Sequence, residues 1–463
     1  MLQFASVMLI VTAIWRARSQ PTPWDRPMIL VMLGIGVIAI AQLIHVPPAL
    51  WQSLPGRAEL IRQMTAAGVP VAGWRSISLD PVASERSLFW VLPGIAMYLC
   101  GCAMTVEERT RLVLVVFAVA FASLIVGVGQ IAGGSEGILR FYGYGRTSMA
   151  VGFFSNRNHL ACMLAMTIPL AFALLVTALH RRAAGRSVPV PWLLFLGLTV
   201  TSLLITLPVN GSRAAVILGG LAILGSFAML LRANLARRVM LALIGVGVLA
   251  IVLTVQFGID RVLDRLQRDP ADDARWTIHA TTLDAAHHFG PLGSGLGTFV
   301  SAYQAVAPER DLGPLYINFA HSDYHQLWLE TGIPGVVVIV VFVLWFGWRG
   351  TQAWTMRTRP HAALILGWAA SISILVVLAH SWVDYPLRKT ATIALLGLCC
   401  ALLSTARVPP PSEPQGNRRR RRSRTHGSQS SQHRDSASDA SPSAESSRLA
   451  SSLDAIPTAG TLN

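Results

Sequence analysis

Leu112-Val-Leu-Val-Val-Phe-Ala-Val-Ala-Phe-Ala-Ser-Leu-Ile-Val-Gly-Val-Gly-Gln-Ile-Ala132 contains no charged residue. A helix needs about 20 apolar residues to cross a bilayer, where backbone groups find no water and must bond within the segment. Arg109 and Arg111 precede the run, as basic residues flank membrane spans. Similar stretches recur along the chain: Pro27–Val46, Leu88–Met104, Leu160–Leu179, Pro191–Leu207 and Ala214–Leu231. Further on come Met240–Phe257, Ile333–Trp348, Ala362–His380 and Thr390–Ala406. Met1–Trp15 is also apolar but short, and its positive charge follows it rather than preceding it, unlike a signal peptide. The expectation is an all-α polytopic membrane bundle of about 11–12 helices within residues 1–407. Eleven runs are counted, and because Met1–Trp15 is short for a span, either the chain starts inside a helix or its N-terminus is trimmed.

Composition agrees. Of 463 residues 53% are hydrophobic and 13% charged, about half the charge of a soluble domain. The net charge of +15 sits in short connectors and in the tail, as the positive-inside bias requires, and is not read as a nucleic-acid surface. The five cysteines lie in apolar runs, so no disulfide framework or Cys-rich metal site is implied. Residues 408–463 are rich in Pro, Ser and Arg and are expected to form a disordered cytoplasmic tail. Arg418–Arg422 within it is either solvated or in contact with anionic membrane lipids.

Placing the Arg-rich connectors inside puts Pro47–Ser87, Gly133–His159 and 258–332 outside, together with the turns Asn210–Arg213 and Ser381–Lys389. Every notable polar motif then falls on one side. Arg213 opens a span, where the positive helix end and a guanidinium together favour an anion; a snorkelling interfacial Arg is the plainer reading. Arg275-Trp276 begins a stretch with Trp276, Ala280, Leu283 and Ala286 at helical spacing, suited to the membrane interface. Gly293-Ser-Gly-Leu-Gly297 lacks the strand and lysine of a phosphate loop and reads as a structural turn. His321-Ser-Asp-Tyr-His325 places two histidines a helical turn apart. His321 suits a general base, a structural hydrogen bond or, less well, a metal, because no third ligand stands at fixed spacing. Asn156-Arg157-Asn158-His159 offers amides and a cation for a diphosphate or sugar hydroxyls, with helix capping the alternative. Asp384, in His380-Ser-Trp-Val-Asp-Tyr-Pro386, either orients a His or Arg or is solvated.

Taken in order, these motifs resemble those of bacterial O-antigen ligases and polymerases. The resemblance rests on Phe154-Ser-Asn-Arg-Asn-His159, Gly211-Ser-Arg-Ala214, Arg275-Trp276 and Pro291-Leu-Gly-Ser-Gly-Leu-Gly-Thr-Phe299. Ala320-His-Ser-Asp-Tyr324, Glu330-Thr-Gly-Ile-Pro-Gly335, His380–Pro386 and Ser78-Leu-Asp-Pro81 extend it over about residues 27–400. It implies a GT-C-type inner-membrane glycosyltransferase that needs no metal or cofactor. Such an enzyme takes a glycan from undecaprenyl diphosphate at the periplasmic face, with inversion, and passes it to lipid A-core or another glycan acceptor. By motif, Arg213, Arg275 and His321 match the family's catalytic residues. Asn156, Arg157, Asn158, His159, Ser212, Asp323 and Asp384 are the expected substrate-binding residues. The alternatives are a polymerase joining repeat units and, in a different class, a transporter or flippase of lipid-linked glycan. A transporter is disfavoured by spans nearly free of charge.

Overall fold

The computed structural model describes residues 1–19, 22–142, 149–209, 212–249, 271–308 and 316–407, with the isolated positions Val252 and Gln256. The chain divides into units Met1–Pro410 and Pro411–Asn463, and the expected tail at 408–463 lies outside the described residues. The first unit is helical apart from one antiparallel pairing of β1 (His45–Val46) with β2 (Arg75–Ser76) among the described residues.

Six described helical runs are long and apolar enough to cross a membrane. They are α2 (Arg26–Leu43), the joined α5 (Pro81–Trp90) and α6 (Leu92–Ala103), α7 (Val106–Ala132), α8 (Arg157–Ala183), α14 (Asp323–Thr355) and α15 (Ala362–His380). α9 (Val190–Val209), α10 (Arg213–Arg232) and α16 (Thr390–Ser404) hold shorter apolar stretches. α1 (Leu2–Ser19) packs on α6, and 237–249 form α11. The expected span Met240–Phe257 therefore falls partly outside the described residues. Between these runs lie α3 (Pro48–Ser53), α4 (Arg57–Ala66), α12 (Ala271–His288) and α13 (Phe299–Val306).

α8 is the axis of the bundle. Asn158 to Ala178 are all buried, under α7, α9, α10 and α15. Its Ala, Met, Cys and Leu side chains present no charge and allow close helix approach, which is how helices associate where lipid removes the hydrophobic drive. α7 begins at a capping box, Thr105 with Glu108, and so starts well before Leu112.

Two other span boundaries differ from expectation. The first does not start at Leu88. Asp80 accepts a hydrogen bond from the Ala83 N–H and Pro81 occupies the first turn, so the helix begins at Pro81 and leaves Glu85 and Arg86 exposed. The second does not start at Ile333. Ser322 caps α14, which runs from Asp323 and breaks at Gly332, where φ is +57°. His321, at φ +54°, stands before this cap, so it and His325 are not successive turns of one helix.

The break at Gly332 is held by the Gly-rich turn. The Ser294 and Gly295 N–H groups donate to Leu329 and Glu330 carbonyls at 2.9 Å, and Ile333 N–H donates to the Pro291 carbonyl at 2.8 Å. Gln42 on α2 completes the joint. Its amide nitrogen donates to the Glu330 carbonyl at 2.8 Å and its amide oxygen accepts from Leu296 N–H at 2.9 Å. The turn's amides are thus spent on the protein itself, in line with a structural turn rather than a phosphate cradle.

α12 and α13 share a small core with the start of α14, built from Ile278, Ala285, Phe289, Phe299, Tyr303 and Leu329. The face of α12 that buries is Ile278, Thr281, Thr282, Ala285 and Ala286, whereas Trp276 and Ala280 are exposed. The stripe through Trp276 and Ala280 is therefore not the face that packs on α14. Thr282 can be buried because its hydroxyl bonds the Ile278 carbonyl at 2.6 Å, and small residues let α12 lie close on α14.

Candidate active site

Four chain segments meet at one end of the bundle: the starts of α8, α10 and α14, and the turn after α15. Asp384, in that turn, is buried at their junction. The start of α14 is tied to it through Asp323 N–H, which donates to the Ser381 and Asp384 carbonyls at 2.9 and 3.2 Å. The start of α8 is tied through the Asn158 amide, which donates to Asp384 Oδ2 at 2.7 Å. The start of α10 joins one bond further out, where Ser212 Oγ donates to Asn158 Oδ1 at 2.7 Å. Tyr385 N–H donates to Asp384 Oδ1 at 2.9 Å.

Three imidazoles surround this carboxylate. His321 Nδ1 lies 3.7 Å from Oδ1, His380 Nε2 3.7 Å from Oδ2, and His159 Nε2 4.0 Å from Oδ1. Burial alone would push the Asp384 carboxyl up. The pull of His321, with the Coulombic fields of His380 and His159, outweighs it and holds the group below the usual carboxylate range, so it is ionised at neutral pH. His321 differs from the other two rings: its side chain is 25% exposed, against 1% for His159 and 0% for His380. It alone of the three can meet a ligand. Its carbonyl accepts from His279 Nε2–H at 3.2 Å, and a non-glycine residue at φ +54° is the kind of strained position that functional sites hold in place.

Around the carboxylate lies an aromatic frame. Tyr385 sets its ring edge-on to His159 and His321, at 5.0 and 5.1 Å, and stacks on Phe319 at 4.2 Å. Lys389 Nζ rests over both stacked rings, 5.0 Å from Phe319 and 5.1 Å from Tyr385. Burial and the Asp384 charge push the Tyr385 hydroxyl up to about 12; burial lowers Lys389 against the pull of Asp384 and Asp323.

The residues expected from the sequence are placed as follows. Asn158, His159, Ser212, His321 and Asp384 form one connected cluster. Asn156 caps α8 through the Asn158 N–H at 2.8 Å, and its side chain lies close enough to Tyr385 to stabilise that phenol's charged form. Arg157 points to Met149 Sδ at 2.6 Å. The Asp323 carboxylate turns away from the imidazoles. Its Oδ2 accepts from Ser381 Oγ at 2.9 Å and Leu387 N–H at 3.0 Å. Arg275 is half-buried on α12, and its positive field reaches His279 and Tyr385. Arg213 is the first residue of α10, directly after Ser212, and its side chain lies outside the described residues.

Three residues of this region were not singled out from the sequence. Arg388 donates to buried Glu330 at 2.8 Å and lies 3.9 Å from Asp323, while Lys389 caps the aromatic stack. A carboxylate such as Glu330 beside a span demands a buried partner, and that demand was the available signal. An apolar cleft of about 250 Å³ between α2, α6, α14 and α16 ends at Asp323, Tyr324 and Arg388. Among the described residues no three His, Cys, Asp or Glu are gathered so as to hold a metal ion.

An all-helical bundle with several membrane-crossing helices, and a buried carboxylate ringed by three imidazoles at one end, defines a multi-pass membrane protein with a built polar site. Residues 197–340 match the family model for O-antigen ligase, a likeness to membrane glycosyltransferase-like enzymes. The matched segment contains Arg213, Arg275 and His321. That match supports glycan transfer of the O-antigen ligase/polymerase type in general. No curated protein matches the chain.

Proposed function

We propose that this chain transfers a glycan from undecaprenyl diphosphate to an acceptor sugar hydroxyl at the periplasmic face of the bacterial inner membrane, as an inverting O-antigen ligase. The observation that carries the reading is His321, the one exposed imidazole of three around a buried carboxylate. With Nδ1–H directed at Asp384, its Nε2 is the basic atom left for a substrate. The acceptor hydroxyl gives its proton to Nε2 as its oxygen bonds to the anomeric carbon. The bond from that carbon to the diphosphate oxygen breaks, and the electron pair leaves with the diphosphate. Asp384 stabilises the imidazolium so formed. Arg275, together with Arg213, meets the charge that develops on the leaving group. The apolar cleft running from Asp323 and Arg388 suits the isoprenoid chain of such a donor. The alternation of basic connectors supports a periplasmic site.

A deletion strain complemented with wild type or His321→Ala, read by surface-glycan gel, tests this. A ligase leaves lipid A-core bare and long chains on the carrier when it is lost, and His321→Ala gives the same pattern. A core bearing a single repeat unit identifies a polymerase instead. Full restoration by His321→Ala refutes the assigned base.

A further inference from the structure

Beside the His321 cluster lies a second pocket, of about 610 Å³, that the transfer chemistry above does not use. Its walls come from α5, from the Gly297–Val300 corner and from Asn318–Phe319, with Arg388 at its inner wall. It adjoins the apolar cleft, with Ser87, Trp90 and Arg388 lining both, and adds side-chain amides to an aromatic lining. Phe89, Trp90, Phe299 and Phe319 give it aromatic walls, and Ser87, Asn318 and Gln326 interleave them with hydroxyl and amide groups. That mixture is what a sugar ring presents in complement, with C–H faces for rings and hydroxyls for amides. The volume lies within the range of ligand pockets.

The charge in the pocket is of one sign. Arg86 and Arg388 line it, and no Asp or Glu does. Arg388 is already committed to Glu330 and Asp323. Arg86 is exposed and makes no ion pair among the described residues, so its guanidinium is the one left for a ligand. Phe319 ties the pocket to the reaction centre. One of its neighbours is the pocket, and another is Tyr385, stacked at 4.2 Å, whose edge meets His321 at 5.1 Å.

We infer that this pocket is a subsite for the acceptor glycan, holding sugars next to the reacting one and selecting those that carry an anionic group through Arg86. This deepens, and rests on, the transferase reading. The glycan is chosen over a lipid headgroup because the pocket's aromatic walls and amides have no role toward a phosphate alone.

The test uses the full chain in phosphatidylcholine nanodiscs, titrated with a glucuronic-acid-containing tetrasaccharide and with its carboxyl-reduced form, binding being followed by calorimetry. Wild type and His321→Ala are expected to bind the acidic probe at least about tenfold more tightly than the reduced one, the size of one charge-assisted hydrogen bond. Arg86→Glu loses that preference and Arg86→Lys keeps part of it; being exposed, residue 86 tolerates both. Equal affinity of wild type for the two probes, or an unchanged preference in Arg86→Glu, overturns the inference. Loss of the transferase reading shows separately, as absent glycan transfer by wild type in the complementation assay.

Discussion

Replacing Asp384 by Asn removes one charge from the centre of the site while keeping the side chain's shape. Asp384 Oδ1 is 3.7 Å from His321 Nδ1. At an effective dielectric of about 20, a carboxylate at that distance stabilises an imidazolium by about 4 kcal/mol, or roughly three orders of magnitude in rate. His321 is 25% exposed, so solvent screens part of this. The expected loss in kcat is about 100-fold, with the donor KM little changed. The substitution also disturbs the fold locally. Asp384 accepts from both Asn158 Nδ2 and Tyr385 N–H, so the new amide must turn its NH2 towards one of two donors, at about 1–3 kcal/mol. The double variant Asn158→Asp/Asp384→Asn separates the two effects. The carboxylate at position 158 accepts from the new amide and still accepts from Ser212, so stability returns. The charge, however, has left the atom that faces His321, so transfer stays slow. Transfer of lipid-linked glycan by purified protein, with thermal unfolding in parallel, reads both. If Asp384→Asn keeps more than a third of wild-type kcat, or the double variant restores it, Asp384 does not act through charge on His321.

Two further outcomes follow from geometry and protonation. A Cβ at Gly332 would sit 1.9 Å from the Pro291 carbonyl oxygen at φ +57°, so Gly332→Ala should destabilise by at least about 2 kcal/mol and lower the unfolding temperature in detergent. Gly68→Ala, with positive φ but no neighbour within 4 Å, should cost only about 1 kcal/mol by the same measurement. Burial holds the His279 ring below the usual histidine value of 6.5, its bond to the His321 carbonyl opposing and His321 and Arg275 adding to the shift. The folded state therefore prefers the neutral ring. Its stabilisation is intact above pH 6.5 and is lost as pH falls from there towards the lowered folded value. His279→Gln, which keeps an N–H for the carbonyl and does not titrate, should move the acid fall in unfolding temperature to lower pH; an unmoved fall would rule His279 out as its source.

Much of the site was legible because its residues are chemically out of place. Asn158, His159, Ser212, His321 and Asp384 are polar groups at the edges of apolar runs, and such groups need partners wherever they are buried. The partners themselves were not legible. Glu330 and Arg388 are separated by a whole membrane span pair, and nothing local pairs them. The packing face of α12 was not legible for a related reason. Trp276 dominates the apolar pattern of that stretch, yet the buried face is made of Ile, Ala and hydrogen-bonded Thr, whose burial depends on the neighbour and not on hydrophobicity. The early start of α5 was hidden because Glu85 and Arg86 read as loop, while the Asp80 cap and Pro81 decide the backbone.

Gln42 shows what this architecture demands of biosynthesis. It sits at the end of α2, and every bond its amide makes is to Leu292, Leu296 or Glu330, some 250 to 288 positions later. A nascent chain that has inserted α2 thus carries a buried amide whose partners have not been translated. The first half can enter the bilayer but cannot settle, and the joint closes only once the loop and α14 arrive. Chains truncated before Leu292 leave that amide without its partners in the membrane, where an unsatisfied polar group is costly.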